Sequence, residues 1–194
     1  MKYQIYKPNS KNTGCAMNFS IGVAKDGAPT LYISSILQSG WNEKTKTGSF
    51  SGNAKNPSKS GNFKMNANEA GEIISSFNTR IPSVFFHKFN EDTTIIKFTP
   101  WDKEKKIKTQ NGEETYKSPA FGISISKNSS SNFKLALEAG ETEVLSILLK
   151  EFISRDLLFQ AEKQKEYQSD RPVYKEKESV AKQEEIEDEE DVPF

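Results

Sequence analysis

Cysteine occurs once in the 194-residue chain, at Cys15, and histidine once, at His87. A single cysteine excludes an internal disulfide and any zinc site built on a cysteine cluster. With one histidine, no His/Asp/Glu grouping has metal-ligand spacing, and no serine or threonine has a base in a recognisable motif. No glycine-rich phosphate loop follows a strand. An enzyme is therefore not expected, and neither is a cofactor or a metal. No apolar run approaches the roughly 18 residues of a membrane span, and Met1-Lys2-Tyr3-Gln4 has no apolar signal core, so a soluble cytoplasmic protein is expected. Hydrophobic content is 34%, with a mean hydropathy of −0.72.

Net charge is absent too, at 27 basic against 27 acidic side chains. The balance conceals a division. Residues 1–158 hold 21 basic and 15 acidic groups, a net of +6; residues 159–194 hold 6 and 12, a net of −6. A basic body of 1–158 with an acidic appendage of 159–194 is the expected organisation.

What the body has in quantity is period-two alternation. Cys15, Met17, Phe19, Ile21 and Val23 alternate with smaller or polar residues, which predicts a half-buried strand with Cys15 as a core hydrophobe. Asp26-Gly27 marks a turn, and Leu31, Ile33, Ser35 and Leu37 make a second strand. Further strands are predicted over Ser83–Phe89, Thr94–Thr99, Ala120–Ser126 and Asn132–Leu137, all rich in β-branched and aromatic residues. Two helices are predicted. One starts at Asn66, with Glu69 placed to close a capping box and Ala70, Ile73, Ile74 and Phe77 as its apolar face. The other spans about Ala139–Phe159, with Val144, Leu145, Leu148, Leu149, Phe152 and Ile153 as its stripe. Beyond it the hydrophobic rhythm stops, and a tail too polar to offset its chain entropy is expected to be disordered.

Short matches recur in the same order, as an internal repeat would produce. Asn62-Phe63-Lys64-Met65 is echoed by Asn132-Phe133-Lys134-Leu135, Ala70-Gly71-Glu72 by Ala139-Gly140-Glu141, and Trp41-Asn42-Glu43-Lys44 by Trp101-Asp102-Lys103-Glu104. The fold class expected is α+β: an antiparallel sheet with two helices, as a tandem ββββα repeat or as an oligonucleotide-binding (OB) barrel.

Two features carry chemistry. The first is the run of seven acidic groups between Glu184 and Asp191, closed by Val192, Pro193 and Phe194. A terminal Phe beyond solubilising carboxylates makes sense as a ligand: the ring fills an apolar pocket, its α-carboxylate pairs with a cation, and Pro193 limits the entropy lost on docking. The same charge can fold back onto a basic groove. The second is a pair of basic, aromatic-bearing hairpins. Trp41 precedes Lys44, Lys46, Phe50, Lys55, Lys59 and Lys64; Trp101 precedes Lys103, Lys105, Lys106, Lys108, Tyr116 and Lys117. Rings stack on the bases of a single strand and cations follow its backbone, so the two must interleave. Arginine is confined to Arg80, Arg155 and Arg171; lysine dominance suits backbone contact over bidentate base reading.

Asp191-Val192-Pro193-Phe194 after an acidic run resembles the tail tip of bacterial and bacteriophage single-stranded-DNA-binding proteins, with Val192 where isoleucine is usual. The resemblance implies recruitment of replication, recombination and repair proteins, and says nothing about the body. Strand-into-capped-helix punctuation at Phe63–Glu69 and Phe133–Glu138 resembles the Whirly and transcriptional-coactivator single-stranded-DNA-binding superfamily over about residues 1–157. That family implies a curved four-stranded sheet before each helix, although the plant members' lysine motif is not evident. The expectation is a sequence-independent, homo-oligomeric binder of single-stranded DNA. A coactivator-type transcription regulator and an acidic-tailed DNA mimic without DNA affinity remain as alternatives.

Overall fold

Apolar–polar alternation folds into two open sheets, each followed by a helix. The computed structural model describes residues 1–110, 112–128 and 131–169. In chain order its elements are β1 (Lys2–Lys7), β2 (Cys15–Val23), β3 (Pro29–Leu37), β4 (Gly40–Asn42), β5 (Thr47–Ser49), β6 (Ser60–Met65) and α1 (Ala67–Thr79). Then come β7 (Ser83–Phe89), β8 (Asp92–Thr109), β9 (Gly112–Lys127), β10 (Ser131–Glu138) and α2 (Ala139–Ser169). Sheet 1 has the order β1-β2-β3-β6 and sheet 2 the order β10-β9-β8-β7, with antiparallel neighbours throughout; β4 and β5 form a separate hairpin inserted before β6. This is ββββα written twice. The OB-barrel alternative falls away, because each half is an open four-stranded meander rather than a closed five-stranded barrel.

One core joins both halves. Met17, Phe19, Leu31, Ile33 and Phe63 point inward from sheet 1, and Ile96, Phe98, Ile123, Ile125 and Phe133 from sheet 2. Phe63 meets Phe133 edge-on at 6.0 Å between ring centroids, and Phe77 of α1 meets Phe98 and Phe121 at 6.0 and 4.9 Å. Each such buried ring contributes about 1.5–3 kcal/mol. Cys15 belongs to this core, where burial pushes its thiol up to about 12, so it is chemically inert at neutral pH.

The capping box of α1 forms as expected: Asn66 Oδ1 accepts from Glu69 N and Glu69 Oε2 accepts from Asn66 N, both at 2.9 Å. In α2 the corresponding contact runs from Glu138 N to Glu141 Oε2 at 2.8 Å. Three expectations need adjustment. Helix α2 continues to Ser169 instead of ending near Phe159, because residues 160–169 are mostly good helix formers even though they bury little. Val144 faces solvent rather than joining the buried stripe of Leu145, Leu148, Leu149 and Phe152. Of the repeat matches, only the Asn-Phe-Lys step is topologically equivalent, lying in the last strand of each sheet. Ala70 sits a turn inside α1 whereas Ala139 opens α2, and Trp41 lies in the inserted hairpin whereas Trp101 lies in the second strand of sheet 2.

Candidate nucleic-acid interface

Most apolar side chains of both sheets point to the shared core, which leaves their outer faces to solvent. Register lays the outer side chains in transverse rows. On sheet 2 one row is Phe86, Ile95, Ser126 and Asn132, and the next is Val84, Lys97, Ser124 and Lys134. Phe86 is 62% exposed and Trp101 40%. Sheet 2 has only one face on the core, so the pleat that buries Phe85 turns Phe86 outward. The hairpin-centred reading of the sequence missed Phe86, Lys97 and Lys134, although strand alternation held the signal.

Strands β8 and β9 outrun their neighbours. Pairing with β7 ends at Phe98 and pairing with β10 at Ala120, so residues 102–109 and 112–119 continue as a two-stranded ribbon. Alternation places Lys103, Lys105 and, across from it, Tyr116 on the same ribbon face as Trp101, continuous with the outer face of sheet 2. Lys106, Lys108 and Lys117 fall on the reverse face. Arg80, the left-handed C-cap of α1 (φ 59°), clamps the ribbon base. Its Nη2 donates to the Trp101 carbonyl at 3.1 Å and to Asp102 Oδ1 at 2.8 Å, and its guanidinium lies 5.9 Å from the Phe121 ring centroid.

Several of these lysines are already engaged. Lys103 Nζ lies 2.5 Å from Glu138 Oε1 and Lys105 Nζ 4.0 Å from Glu138 Oε2. The hydrogen bond from Lys103, together with the nearby cations, holds the Glu138 carboxyl below its ordinary range. Lys106 pairs with Glu113 at 2.7 Å. The Tyr116 hydroxyl donates to the Glu114 carboxylate, which raises the Tyr116 pKa.

The other predicted cluster surrounds sheet 1. Trp41 is half-buried on β4, with its indole N–H buried and unpartnered among the described residues. Lys44 and Lys46 are at the tip of the inserted hairpin, where Lys46 pairs with Glu43 at 2.7 Å. Phe50 meets the exposed Tyr6 ring of the outer face at 5.9 Å. Lys55 and Lys59 are exposed on the loop before β6. Lys44, Lys55, Lys59, Lys108 and Lys117 form no ion pair among the described residues. Two buried amides pin the insertion to the end of β3. Gln38 accepts from Asn9 N at 2.9 Å and donates to the carbonyls of Asn9 and Gly40 at 3.0 and 2.9 Å. Asn53 Nδ2 donates to the carbonyls of Leu37 and Gln38, both at 3.0 Å. The two aromatic–lysine groups thus serve different sheets and are not one constellation. Asp191, Val192, Pro193 and Phe194 lie outside the described residues.

No family model matches the sequence, and no curated protein matches it. Solved structures do match. The chain is similar to the crystal structures of WHY3 and WHY1 from Arabidopsis thaliana, at 14% and 13% identity and TM-scores of 0.51 and 0.52. Each comparison covers 87% of this chain, with 95% of WHY3 and 92% of WHY1. The plant transcriptional regulator PBF-2 is similar at 16% identity and a TM-score of 0.51, over 89% of this chain and 88% of that one. The fold is the Whirly fold. At these identities the likeness carries the Whirly architecture alone and no individual residue role. Among the described residues no helix is long and apolar enough to cross a membrane, and no three His, Cys, Asp or Glu side chains gather as metal ligands.

Proposed function

We propose that this chain is a non-enzymatic, largely sequence-tolerant binder of single-stranded DNA that serves replication, recombination or repair in the cytoplasm. The observation that carries the reading is one continuous surface of rings and cations. Phe86, Lys97, Lys134 and Trp101 on the outer face of sheet 2 run into Lys103, Lys105 and Tyr116 on the ribbon. Exposed rings offer stacking worth about 1–3 kcal/mol per base, and the lysines track phosphates. Phe50 and the cations Lys44, Lys46, Lys55 and Lys59 of the insertion supply a second approach beside sheet 1, with Trp41 at its root. Lys106, Lys108 and Lys117, on the reverse of the ribbon, add charge that draws the strand in rather than contacts beneath it. The acidic tail shields this surface when DNA is absent, and Asp191–Phe194 recruits partner proteins. The chain assembles as a homo-oligomer. Supporting this, α2 exposes Val144, Ile147, Leu157 and Leu158, more apolar surface along one helix than isolated exposed residues explain.

A second reading, regulation of transcription, is favoured by one observation, the structural likeness to a plant transcriptional regulator. It shares the same binding surface. The test is an equilibrium titration of labelled oligo-dT, with double-stranded competitor, on the full chain and on a chain ending at Lys182. Binding should be single-strand selective, tighten without the tail, and weaken with salt by about 0.7 log units per log unit for each phosphate neutralised. No binding by either chain would contradict the proposal and favour a DNA-mimic role for the tail.

A further inference from the structure

Asn62 and Asn132 each begin an Asn-Phe-Lys step and face outward on the last strand before each helix. Following the pairing outward from each gives one row across each outer face. In sheet 2 the row reads Asn132, Ser126, Ile95, Phe86; in sheet 1 it reads Asn62, Ser34, Asn18, Gln4. The two rows carry different chemistry. Where sheet 2 presents an aliphatic side chain and an exposed ring, sheet 1 presents amides.

The rows on either side of these amides complete a site. On one side lie Tyr6, Ala16 and Ile36; on the other lie Lys2, Tyr32 and Lys64, with Lys64 Nζ 5.6 Å from the Tyr32 ring centroid. Ala16 is only 4% exposed although its side chain points outward, because the inserted segment overhangs this part of the sheet and Ala54 helps to line the space beneath. The result is a recess of about 250 Å³ bounded by the apolar row and the amide row. That space is on the scale of one nucleobase. Asn18 lines it, and its Oδ1 is buried with no hydrogen-bond partner among the described residues.

We propose that this recess of sheet 1 takes one base of the bound single strand and reads its Watson–Crick edge. The inference rests on the DNA-binding reading above and departs from its sequence tolerance at one position per protomer. Each side-chain amide offers donors and an acceptor together, the combination that base edges present. Ala16 and Ile36 supply apolar contact for the flat face of the base, and the Tyr6–Phe50 ring pair borders it. Lys2 and Lys64 are placed for the adjoining phosphates. Unstacked bases of single strands are read in this way, by a ring or apolar wall on the face and hydrogen bonds on the edge. The Asn132 row of sheet 2 has a ring at Phe86 and a hydrocarbon at Ile95, and it stacks without discrimination.

The test measures affinities of the full chain for dA, dC and dT homopolymers of equal length, with the variants Asn18→Leu, Asn62→Leu and Phe86→Ala. Leucine keeps the branched shape of asparagine, at somewhat larger volume, and removes its hydrogen bonds. The wild type should separate the homopolymers by about tenfold, within the discrimination one amide–base pair provides. Asn18→Leu and Asn62→Leu should shrink that separation to twofold or less, while Phe86→Ala weakens all three oligonucleotides and leaves it intact. Asn62 is exposed at one end of the row, so its variant remains informative if Asn18→Leu fails to fold. A wild type that binds all three equally, or a separation that survives both asparagine variants, overturns the base-reading recess and leaves DNA binding standing. Absence of binding to every homopolymer removes both.

Discussion

Glu138 shows how a single side chain can set the strength of a surface that it does not form. Its carboxylate lies beside Lys103 and Lys105, two cations on the Trp101 face, and it competes with phosphate for both. Glu138→Gln should therefore tighten oligo-dT binding and steepen its salt dependence by about 0.7–1.4 in log–log slope, one increment per lysine freed. An unchanged slope would mean that neither lysine meets phosphate. The pairing also has a pH signature. Because the folded-state pKa of Glu138 is lowered, its stabilising contribution is complete above the ordinary glutamate value of about 4.3. It is lost as pH falls through the depressed value. Melting curves of wild type and Glu138→Gln should converge over that acid range and differ at neutral pH. None of this was legible in the sequence, where Lys103 and Glu138 are 35 residues apart and the basic run reads as free charge. Alternation on a one-sided sheet shows that one of Phe85 and Phe86 faces out, but the sequence reading counted Phe86 with the core, and it is Phe86 that is exposed.

Among the elements, the helix starts were the most readable and the transverse rows the least. Asn66 and Glu69 announce α1 through local spacing alone, and the capping box forms as that spacing dictates. Asn66→Ala should cost about 1 kcal/mol, a fall of roughly 2–4 °C in Tm, with oligo-dT affinity at permissive temperature unchanged. Glu69→Ala should cost more, since Glu69 Oε1 also meets His87 Nε2 at 2.5 Å and ties α1 to β7. Equal losses from the two variants would show that the His87 contact adds nothing. The row Gln4, Asn18, Ser34, Asn62 could not be read in advance, because alternation fixes which face a residue occupies but not which residue of another strand lies beside it. The Trp41 and Trp101 matches misled for the same reason: similar tetrapeptides landed in strands with different neighbours. The extension of α2 to Ser169 was overlooked because its last turns have helix propensity without an apolar stripe, and hydrophobic rhythm was the guide used to end it.

At the scale of the whole molecule, the division of charge and the two-sheet architecture belong together. A body with a net charge of +6 presents two outer faces, and an appendage with −6 can compete for them. The exposed Val144, Ile147, Leu157 and Leu158 of α2 give the oligomer proposal its test. Sedimentation of the wild type should show a multimer, and the pair Ile147→Glu with Leu158→Glu should shift it to monomer without loss of helix signal. A monomeric wild type would remove that proposal while leaving the DNA-binding surface unaffected. The central claim is that single-stranded DNA lies over the outer face of sheet 2 at Trp101, and the chain contains only two tryptophans. Trp41→Phe leaves Trp101 as the sole indole reporter. Titrating this variant with oligo-dT should quench its emission saturably, with the same midpoint as the anisotropy of the labelled oligonucleotide and with recovery in high salt. Binding detected by anisotropy with no change in Trp101 emission would contradict the account and place the DNA elsewhere on the molecule.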